Sequence, residues 1–229
     1  MSGLVFPEGR PTFGCLPRKS RPGEWCPMAA DRIKIVPEAE WDALAAQITL
    51  RPFVKTVLDQ GQVGSCAAES SVQALMIARA MAGLPHVVLN PYYCYHTTSG
   101  GYDEGSSIDD NLEFLMRYGC APESVWPRSK GWRAEPSAEA DEAAREFRID
   151  EFFDISSVPE MVSCNLDAFP VVFGAQGHAI CAVAHKGSYP LIVNSWTPGW
   201  EDGGFGKWCD YNAINWSYGA WGLRVARQT

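Results

Sequence analysis

A cysteine at the start of a predicted helix is the residue in this sequence best placed for nucleophilic chemistry. The stretch QGQVGSCAA, at residues 60–68, is a glycine-rich loop that delivers Cys66 to the first turn of that helix. Unpaired backbone N–H groups and the positive end of the helix dipole stabilise a thiolate there and lower the pKa of the thiol. Buried structural cysteines also begin helices, so the loop alone leaves a catalytic and a structural interpretation open.

Two apolar strands later in the chain carry the side chains that a thiolate nucleophile needs as partners. His178 begins one strand, within GHAI, and Asn194 ends the next, within IVNSW. An imidazole acts as acid and base for a thiolate, and a third polar group fixes the tautomer and the plane of that imidazole. Taken separately, these residues are more typical of a hydrogen-bonded core histidine and a turn asparagine. Together with the cysteine loop, the order Cys, His, Asn favours catalysis.

These motifs resemble those of the papain-like cysteine peptidases, the family that includes the cathepsins. QGQVGSC is similar to the Gln-Gly-x-Cys-Gly-Ser-Cys motif of the family, GHAI to its His-Ala motif, and NSWTPGWEDGGFG to its Asn-Ser-Trp-Gly stretch. IVPEAEW is similar to the start of the mature chain and LNPYYCY to the Leu-Ser-x-x-x-Leu helix. DEGSSIDD is similar to the segment that begins with a groove-lining strand. The resemblance runs from about residue 35 to the C-terminus.

The resemblance implies both a fold and an activity. The implied fold is α+β and two-lobed, with a helical N-terminal lobe at about residues 51–145, a β-rich C-terminal lobe at about 146–229 and the active-site cleft between them. The implied activity is that of a cysteine endopeptidase, which hydrolyses peptide or isopeptide bonds through a thioester on Cys66. Two alternatives stay open. One is a catalytically weak binding module that keeps the groove, and the other is an acyl transferase or ligase with the same Cys-His-Asn site.

The resemblance also gives roles to individual residues. Cys66 is the expected nucleophile, His178 the general base and acid, and Asn194 the group that orients the imidazole. Gln60 is the expected oxyanion donor, beside the backbone N–H of Cys66, and Trp196 is expected to shield the His178–Asn194 hydrogen bond from water. Backbone groups near residue 105 are expected to pair with an extended peptide like an added strand. The residues expected to bind substrate are Gly64, Ser65, Gly105, Ser106, Gly177 and Trp196.

The sequence departs from the family pattern at several places near these motifs. Val63 stands where the family has a cysteine, so the disulfide that braces the active-site loop is missing. Glu69 stands where an aromatic residue is common, and its carboxylate is expected either to oppose the thiolate or to point to solvent. The loop before His178 is almost absent, so residues 174–176 are expected to form a low wall that gives the groove weak side-chain preference.

Hydrophobic periodicity and capping residues predict the elements that must position these side chains. An apolar face predicts the helix that follows Cys66, and Ser106 or Ser107 is the expected N-cap of a later helix. The helices are expected over residues 37–48, 66–82, 108–118 and 137–147. Apolar runs separated by glycine and proline predict strands. These strands are expected over residues 170–175, 178–185 and 189–196.

Length, composition and charge exclude several classes of protein. The chain has 229 residues, of which 46% are hydrophobic and 20% charged, as is typical of a folded domain or of two lobes that share a cleft. A net charge of −8 argues against a general binder of nucleic acid or of anionic membranes. We expect a peptide or protein substrate as the partner, and no nucleic acid, membrane, metal or organic cofactor. The oligomeric state is left open.

Residues 1–34 are expected to form an irregular arm, because they contain five prolines. The arm lacks the long charged helices of the family's inhibitory propeptide and is interpreted as a structural wrap around a peptidase domain at residues 35–229. Cys15 and Cys26 are the cysteine pair close enough in sequence to suggest a local bridge. Without a secretory signal the chain is expected to be cytoplasmic and of bacterial or phage origin, with a phage virion or another export route as alternatives.

Overall fold

A computed structural model of the chain describes residues 14–226. The helices in this range are α1 Trp41–Ala45, α2 Cys66–Met81, α3 Pro91–Thr98, α4 Ile108–Arg117, α5 Ala138–Ala144 and α6 Val158–Leu166. The strands are β1 Cys15–Leu16, β2 Ser106–Ser107, β3 Glu151–Asp154, β4 Val171–Ala175, β5 His178–Lys186, β6 Tyr189–Val193, β7 Phe205–Lys207 and β8 Ala220–Arg224. The α+β class expected from the sequence is therefore confirmed.

The helix that carries the cysteine is buried around almost its whole circumference. Every residue of α2 from Cys66 to Arg79 is buried, because α3 and α4 pack on one side of the helix and β4, β5 and β8 on the other. Small residues, many of them alanine, make this close approach possible. The next predicted helix, α4, is capped by Ser107, whose hydroxyl accepts the N–H of Asp110.

Six strands form one antiparallel sheet in the order β3-β8-β4-β5-β6-β7. β4 and β5 are joined by a two-residue turn, in which Gln176 and Gly177 have φ of 55° and 78°. Positive φ at both turn positions is the geometry that matches the twist of a tight hairpin. Ala175 consequently pairs with His178, and the imidazole stands at the very beginning of β5.

The core lies on both faces of this sheet. One apolar cluster fills the space between the sheet and α2, α3 and α4, with Trp221 fully buried in it. A second cluster covers the opposite face with α1, α6 and several tryptophans. The predicted strands agree with β4, β5 and β6, whereas α6, β3, β7 and β8 were not expected from the sequence. The boundary between a helical and a β-rich lobe near residue 145 stays a prediction.

The described part of the arm, residues 14–34, is largely irregular and is held by two buried carboxylates. Arg18 donates from its two terminal guanidinium nitrogens to the carboxylate of Asp154 on β3, and the hydrogen bond from Nη1 is 3.0 Å long. Asp109 on α4 accepts the backbone N–H groups of Lys19 and Ser20, each over 2.8 Å. The arm thus contacts both the helical half and the sheet.

The bridge suggested for Cys15 and Cys26 is absent: all eight cysteines lie within residues 14–226 and are free thiols there. Within the same range, no helix combines the length and the apolar character needed to cross a membrane.

Candidate active site

Cys66 is fully buried at the first position of α2. Its sulfur accepts the backbone N–H of Ala179 over 3.5 Å, and a second backbone N–H comes from Gly14. The strand β5, which begins with His178, therefore packs directly against the sulfur. Cys66, His178 and Asn194, which are far apart in the sequence, are brought into one region of the structure by this packing.

His178 and Asn194 are joined by a short hydrogen bond. The distance between His178 Nε2 and Asn194 Oδ1 is 2.9 Å, and both side chains are buried. Asn194 Oδ1 also accepts the N–H of Ser195, so it acts as an acceptor and the imidazole proton belongs on Nε2. Nδ1 is buried and has no hydrogen-bond partner among the described residues. It is the nitrogen that remains to accept a proton.

Two tryptophans cover this histidine. The ring centres of Trp196 and Trp208 lie 5.2 Å and 4.9 Å from that of His178. Trp208 also donates its indole N–H to the carbonyl of Ala175 over 3.3 Å, which ties the end of β4 to the site. Trp196 therefore lies where the sequence predicted it. Trp208 was missed, and its position just after the glycine-rich stretch that follows NSW was the available signal.

Gln60 is fully buried and fixed against the segment that carries Asn194. Its side-chain carbonyl accepts the hydroxyl of Ser195 over 2.7 Å, and its amide donates to the carbonyl of Val63 over 3.0 Å. Its backbone N–H donates to the carbonyl of Ser195 over 3.0 Å. Ser195 was not singled out from the sequence, although it lies between two residues that were. These bonds hold the Gln60 amide beside the helix start that presents Cys66.

Burial dominates the titration of the candidate pair. It raises the pKa of the Cys66 thiol to about 11, although N–H groups of Ala179 and Gly14 act in the opposite direction. It also lowers the pKa of the His178 imidazole to about 4, although the hydrogen bond that the imidazole donates to Asn194 acts to raise it. The lowered thiol pKa expected from the helix start is wrong for this state, because desolvation outweighs the helix terminus. The described pair is a neutral thiol and a neutral imidazole.

The front of the arm occupies the groove beside the sulfur. β1 pairs in parallel with β2, and the N–H of Ser106 donates to the carbonyl of Gly14 over 2.9 Å. The N–H of Cys15 donates to the carbonyl of Gly177 over 3.0 Å. A Cβ atom on Gly14 would lie 1.7 Å from the carbonyl oxygen of Gly64, so the two backbones are in direct contact. The groove therefore holds an extended polypeptide backbone.

Four of the residues predicted to bind substrate contact this segment: Gly64, Gly105, Ser106 and Gly177. Ser65 instead directs its hydroxyl to Glu69, away from the arm. Gly174, within the low wall expected at residues 174–176, is covered in this state. The side chain of Tyr218 and the sulfur of Cys15 lie 2.2 and 3.1 Å from where its Cβ would stand. The weak side-chain preference expected from this wall stays a prediction.

Glu69 does not point to solvent, contrary to one of the two expectations for it. Its side chain is fully buried and forms an ion pair with Arg128. Burial raises the pKa of this carboxyl to about 7, although the Arg128 guanidinium acts to lower it. The other expectation was that the Glu69 carboxylate opposes the thiolate. The charge of Glu69 acts in this direction, because it raises the pKa of Cys66. Among residues 14–226, no group of three or more His, Cys, Asp or Glu side chains could hold a metal ion.

Solved structures identify the architecture that carries this site. Xylellain, a cysteine protease from Xylella fastidiosa, is similar to the chain with a TM-score of 0.73 and 19% identity, over 98% of this chain and 100% of that one. The chain has the papain-like fold. Digestive procathepsin L 3 of Tenebrio molitor matches 94% of this papain-like chain and 76% of its own, with a TM-score of 0.67 and 17% identity.

A third structure with the same fold contains an inhibitor. The cysteine protease CMS1MS2 of Carica candamarcensis, in complex with E-64, matches 79% of this papain-like chain and 98% of its own, with a TM-score of 0.59 and 21% identity. No protein-family model matches the sequence, and no curated protein sequence matches it significantly. The papain-like fold is thus recognised from the structure, although the sequence matches no family model and no curated protein.

Proposed function

We propose that this papain-like protein is a cysteine peptidase, which hydrolyses peptide bonds, isopeptide bonds included, through a thioester on Cys66. One observation carries the proposal: the Cys66 sulfur accepts the N–H of Ala179, the residue after His178, next to a groove in which backbone groups already hold an extended polypeptide. A groove of this kind recognises main-chain groups, as in strand addition. The buried His178–Asn194 bond supplies the oriented base that a thiol nucleophile needs.

The proposed reaction uses the groups of the site in two steps. The thiol proton moves to Nδ1 of His178, and the sulfur attacks the peptide carbonyl carbon. The amide of Gln60 and the backbone N–H of Cys66 bind the oxyanion, and the imidazolium then gives its proton to the leaving amine as the C–N bond breaks. Water, deprotonated by the same nitrogen, attacks the thioester and releases the acid and the thiol.

The arm competes with the substrate in this proposal. Gly14 presents its N–H to the sulfur, so the docked segment occupies the place beside the nucleophile. Because Cys66 is fully buried under it, hydrolysis requires the front of the arm to leave the groove. The wrap interpretation is retained for residues 17–34, whose anchors lie outside the groove, while residues 14–16 act as an occluding strand.

The experiment that tests the proposal is labelling of the full chain with E-64 at a low dose, followed by mass spectrometry of the adducts. We expect Cys66 to react at least about tenfold faster than any of the other seven free cysteines, since His178 is proposed to activate Cys66 alone. His178→Ala should remove this selectivity, whereas His96→Ala, at a half-exposed histidine, should keep it. Slow and uniform labelling would favour the binding module instead.

A second prediction concerns the oxyanion donor. Gln60→Ala is expected to lower kcat for a fluorogenic peptide amide by about 10²–10³, with KM within about threefold, because the lost donor acts on charge that develops in the transition state. Gln47→Ala, at an exposed glutamine after α1, serves as the control. A parent-like kcat in folded Gln60→Ala would place the oxyanion site elsewhere.

A further inference from the structure

A buried ion pair lies between the two elements that carry the proposed oxyanion donors. Glu69, in the first turn of α2, is fully buried and pairs with Arg128. The same carboxylate oxygen accepts the hydroxyl of Ser65 over 3.1 Å. One end of the pair is therefore fixed to the helix start that presents Cys66.

The other end of the pair is fixed to the extended segment that carries Gln60. Arg128 Nη1 donates to the carbonyl of Asp59 over 2.5 Å, and its guanidinium lies 4.4 Å from the ring centre of Tyr92. The Tyr92 hydroxyl donates to the carbonyl of Gln60 over 3.3 Å. The carbonyls of Asp59 and Gln60 are thus held by Arg128 and Tyr92, which contact each other.

The guanidinium is itself positioned by its own backbone. The N–H of Arg128 donates to the carboxylate of Glu123 over 2.8 Å, at the start of a short 3₁₀ turn. A planar guanidinium fork can bind two acceptors at fixed angles, which an ammonium cannot. The Arg128 guanidinium is therefore held in one orientation, in which it contacts Asp59 and Glu69 at the same time.

The direct chain link between the two elements is weak. Residues 61–65 contain two glycines, one with a φ of 59°, and Val63 stands where the resembling family has the bridging cysteine. A glycine-rich link by itself leaves the distance between the Gln60 amide and the Cys66 N–H poorly defined. Misplacement of reacting groups by about 1 Å costs about 10²-fold in rate.

We propose that Arg128 and Glu69 are positioning residues for the peptidase site proposed above, on which this inference rests. Arg128 joins the segment that carries Gln60 to the helix that carries Cys66, and Glu69 supplies the anchor on that helix. The pair takes the place of a covalent brace. It also balances charge near the sulfur, because Arg128 neutralises a carboxylate that otherwise opposes a thiolate.

The titratable groups that act electrostatically on Glu69, or are acted on by it, come from every element around it. They are Arg128, Asp59, Tyr92, Cys66 and Cys120. Arg128 is the single cation in this set. Removal of Arg128 is therefore expected to change the pH dependence of Cys66 ionisation. Removal of a residue with a purely structural role in a distant part of the core would leave that pH dependence unchanged.

The test compares full-length Arg128→Met, Arg128→Lys and Glu69→Gln with the parent chain. Arg133→Met is the matched control, because Arg133 is exposed and stacks only on Trp132. Two measurements are made on each chain: kcat and KM for a fluorogenic peptide amide, and the rate of Cys66 alkylation by iodoacetamide as a function of pH. The hydrogen bonds and the ion pair described above for Arg128 and Glu69 go to residues outside the arm, so arm competition is expected to be the same in all chains.

Arg128→Met is expected to lower kcat by about 10–100-fold with KM within about threefold. Its Cys66 alkylation should need a higher pH than in the parent, because Glu69 is left without its cation. Arg128→Lys keeps the charge but cannot bind two acceptors as a fork, so it should restore the alkylation profile and leave kcat low. Glu69→Gln should move the alkylation profile to lower pH.

Two results would overturn the proposal. One is a folded Arg128→Met or Arg128→Lys with parent-like kcat and a parent-like alkylation profile. The other is a loss of equal size in Arg133→Met. If Arg128→Met does not fold, Arg128→Lys decides. A parent chain without peptidase activity would contradict the proposed function, and the alkylation profiles would still decide whether the pair governs Cys66.

Discussion

Cys66→Ser is expected to abolish peptide hydrolysis while the protein stays folded. A neutral hydroxyl is a far weaker nucleophile than a thiolate, and loss of the nucleophile in an enzyme of this kind costs about 10⁶-fold in kcat. The serine oxygen fits the same buried place and accepts the N–H groups of Ala179 and Gly14 that now bind the sulfur. Turnover of a fluorogenic peptide amide and the melting temperature test the two parts of this expectation.

Cys181→Ser is the matched control for that variant. Cys181 is also fully buried and lies on the same strand as His178, so the two substitutions place a hydroxyl in similarly dry surroundings. The control is expected to keep kcat within about threefold of the parent value. If Cys66→Ser retained more than about a hundredth of the parent rate, another group would have to be the nucleophile.

Gly14→Val is expected to raise the rate of Cys66 labelling by E-64 about 10–100-fold. This size corresponds to a docked arm that covers the site in about 90–99% of parent molecules. A valine Cβ would lie 1.7 Å from the carbonyl oxygen of Gly64, and neither backbone can yield by that amount. The anchors at Arg18 and Ser20 stay in place. The substitution therefore displaces the front of the arm and leaves the rest of it bound.

The same variant is expected to change the pH dependence of labelling. With the arm docked, burial raises the pKa of the Cys66 thiol to about 11 and lowers that of the His178 imidazole to about 4, so the thiolate forms only at high pH. Water that enters the open groove favours both charged forms and brings the two pKa values together. Labelling of Gly14→Val should already be fast near neutral pH, whereas labelling of the parent should keep rising into the alkaline range.

Leu16→Ala is the control for this prediction, because Leu16 lies on the same short strand with its side chain exposed. It should label at the parent rate. A chain without residues 1–16 should behave like Gly14→Val. Removal of residues 1–34 also deprives the buried Asp154 and Asp109 of partners, and such unpaired charges cost about 3–5 kcal/mol each. Equal labelling of Gly14→Val and the parent would show that the arm does not control access.

The sequence predicted the parts of the site that depend on local pattern. A glycine-rich loop before a helix, a tight turn before His178 and a strand end at Asn194 are each recognisable from a few neighbouring residues. The pairing of Glu69 with Arg128 joins residues 59 positions apart and follows from no local pattern. The occupied groove was equally hidden, because Gly14 docks through backbone atoms alone. Burial raises the pKa of the Cys66 thiol, whereas helix position alone predicted the opposite direction.

Gly14 and Cys15 leave the ribosome well before the groove that they occupy exists. Ser106, which binds Gly14, is synthesised later, and Gly177, which binds Cys15, follows later still. The two sides of the groove therefore assemble around a strand that is already present and tethered at high effective concentration. We therefore expect a newly made chain to close the groove over this strand as the candidate site forms, so that the covered state is the first one that the folded protein reaches.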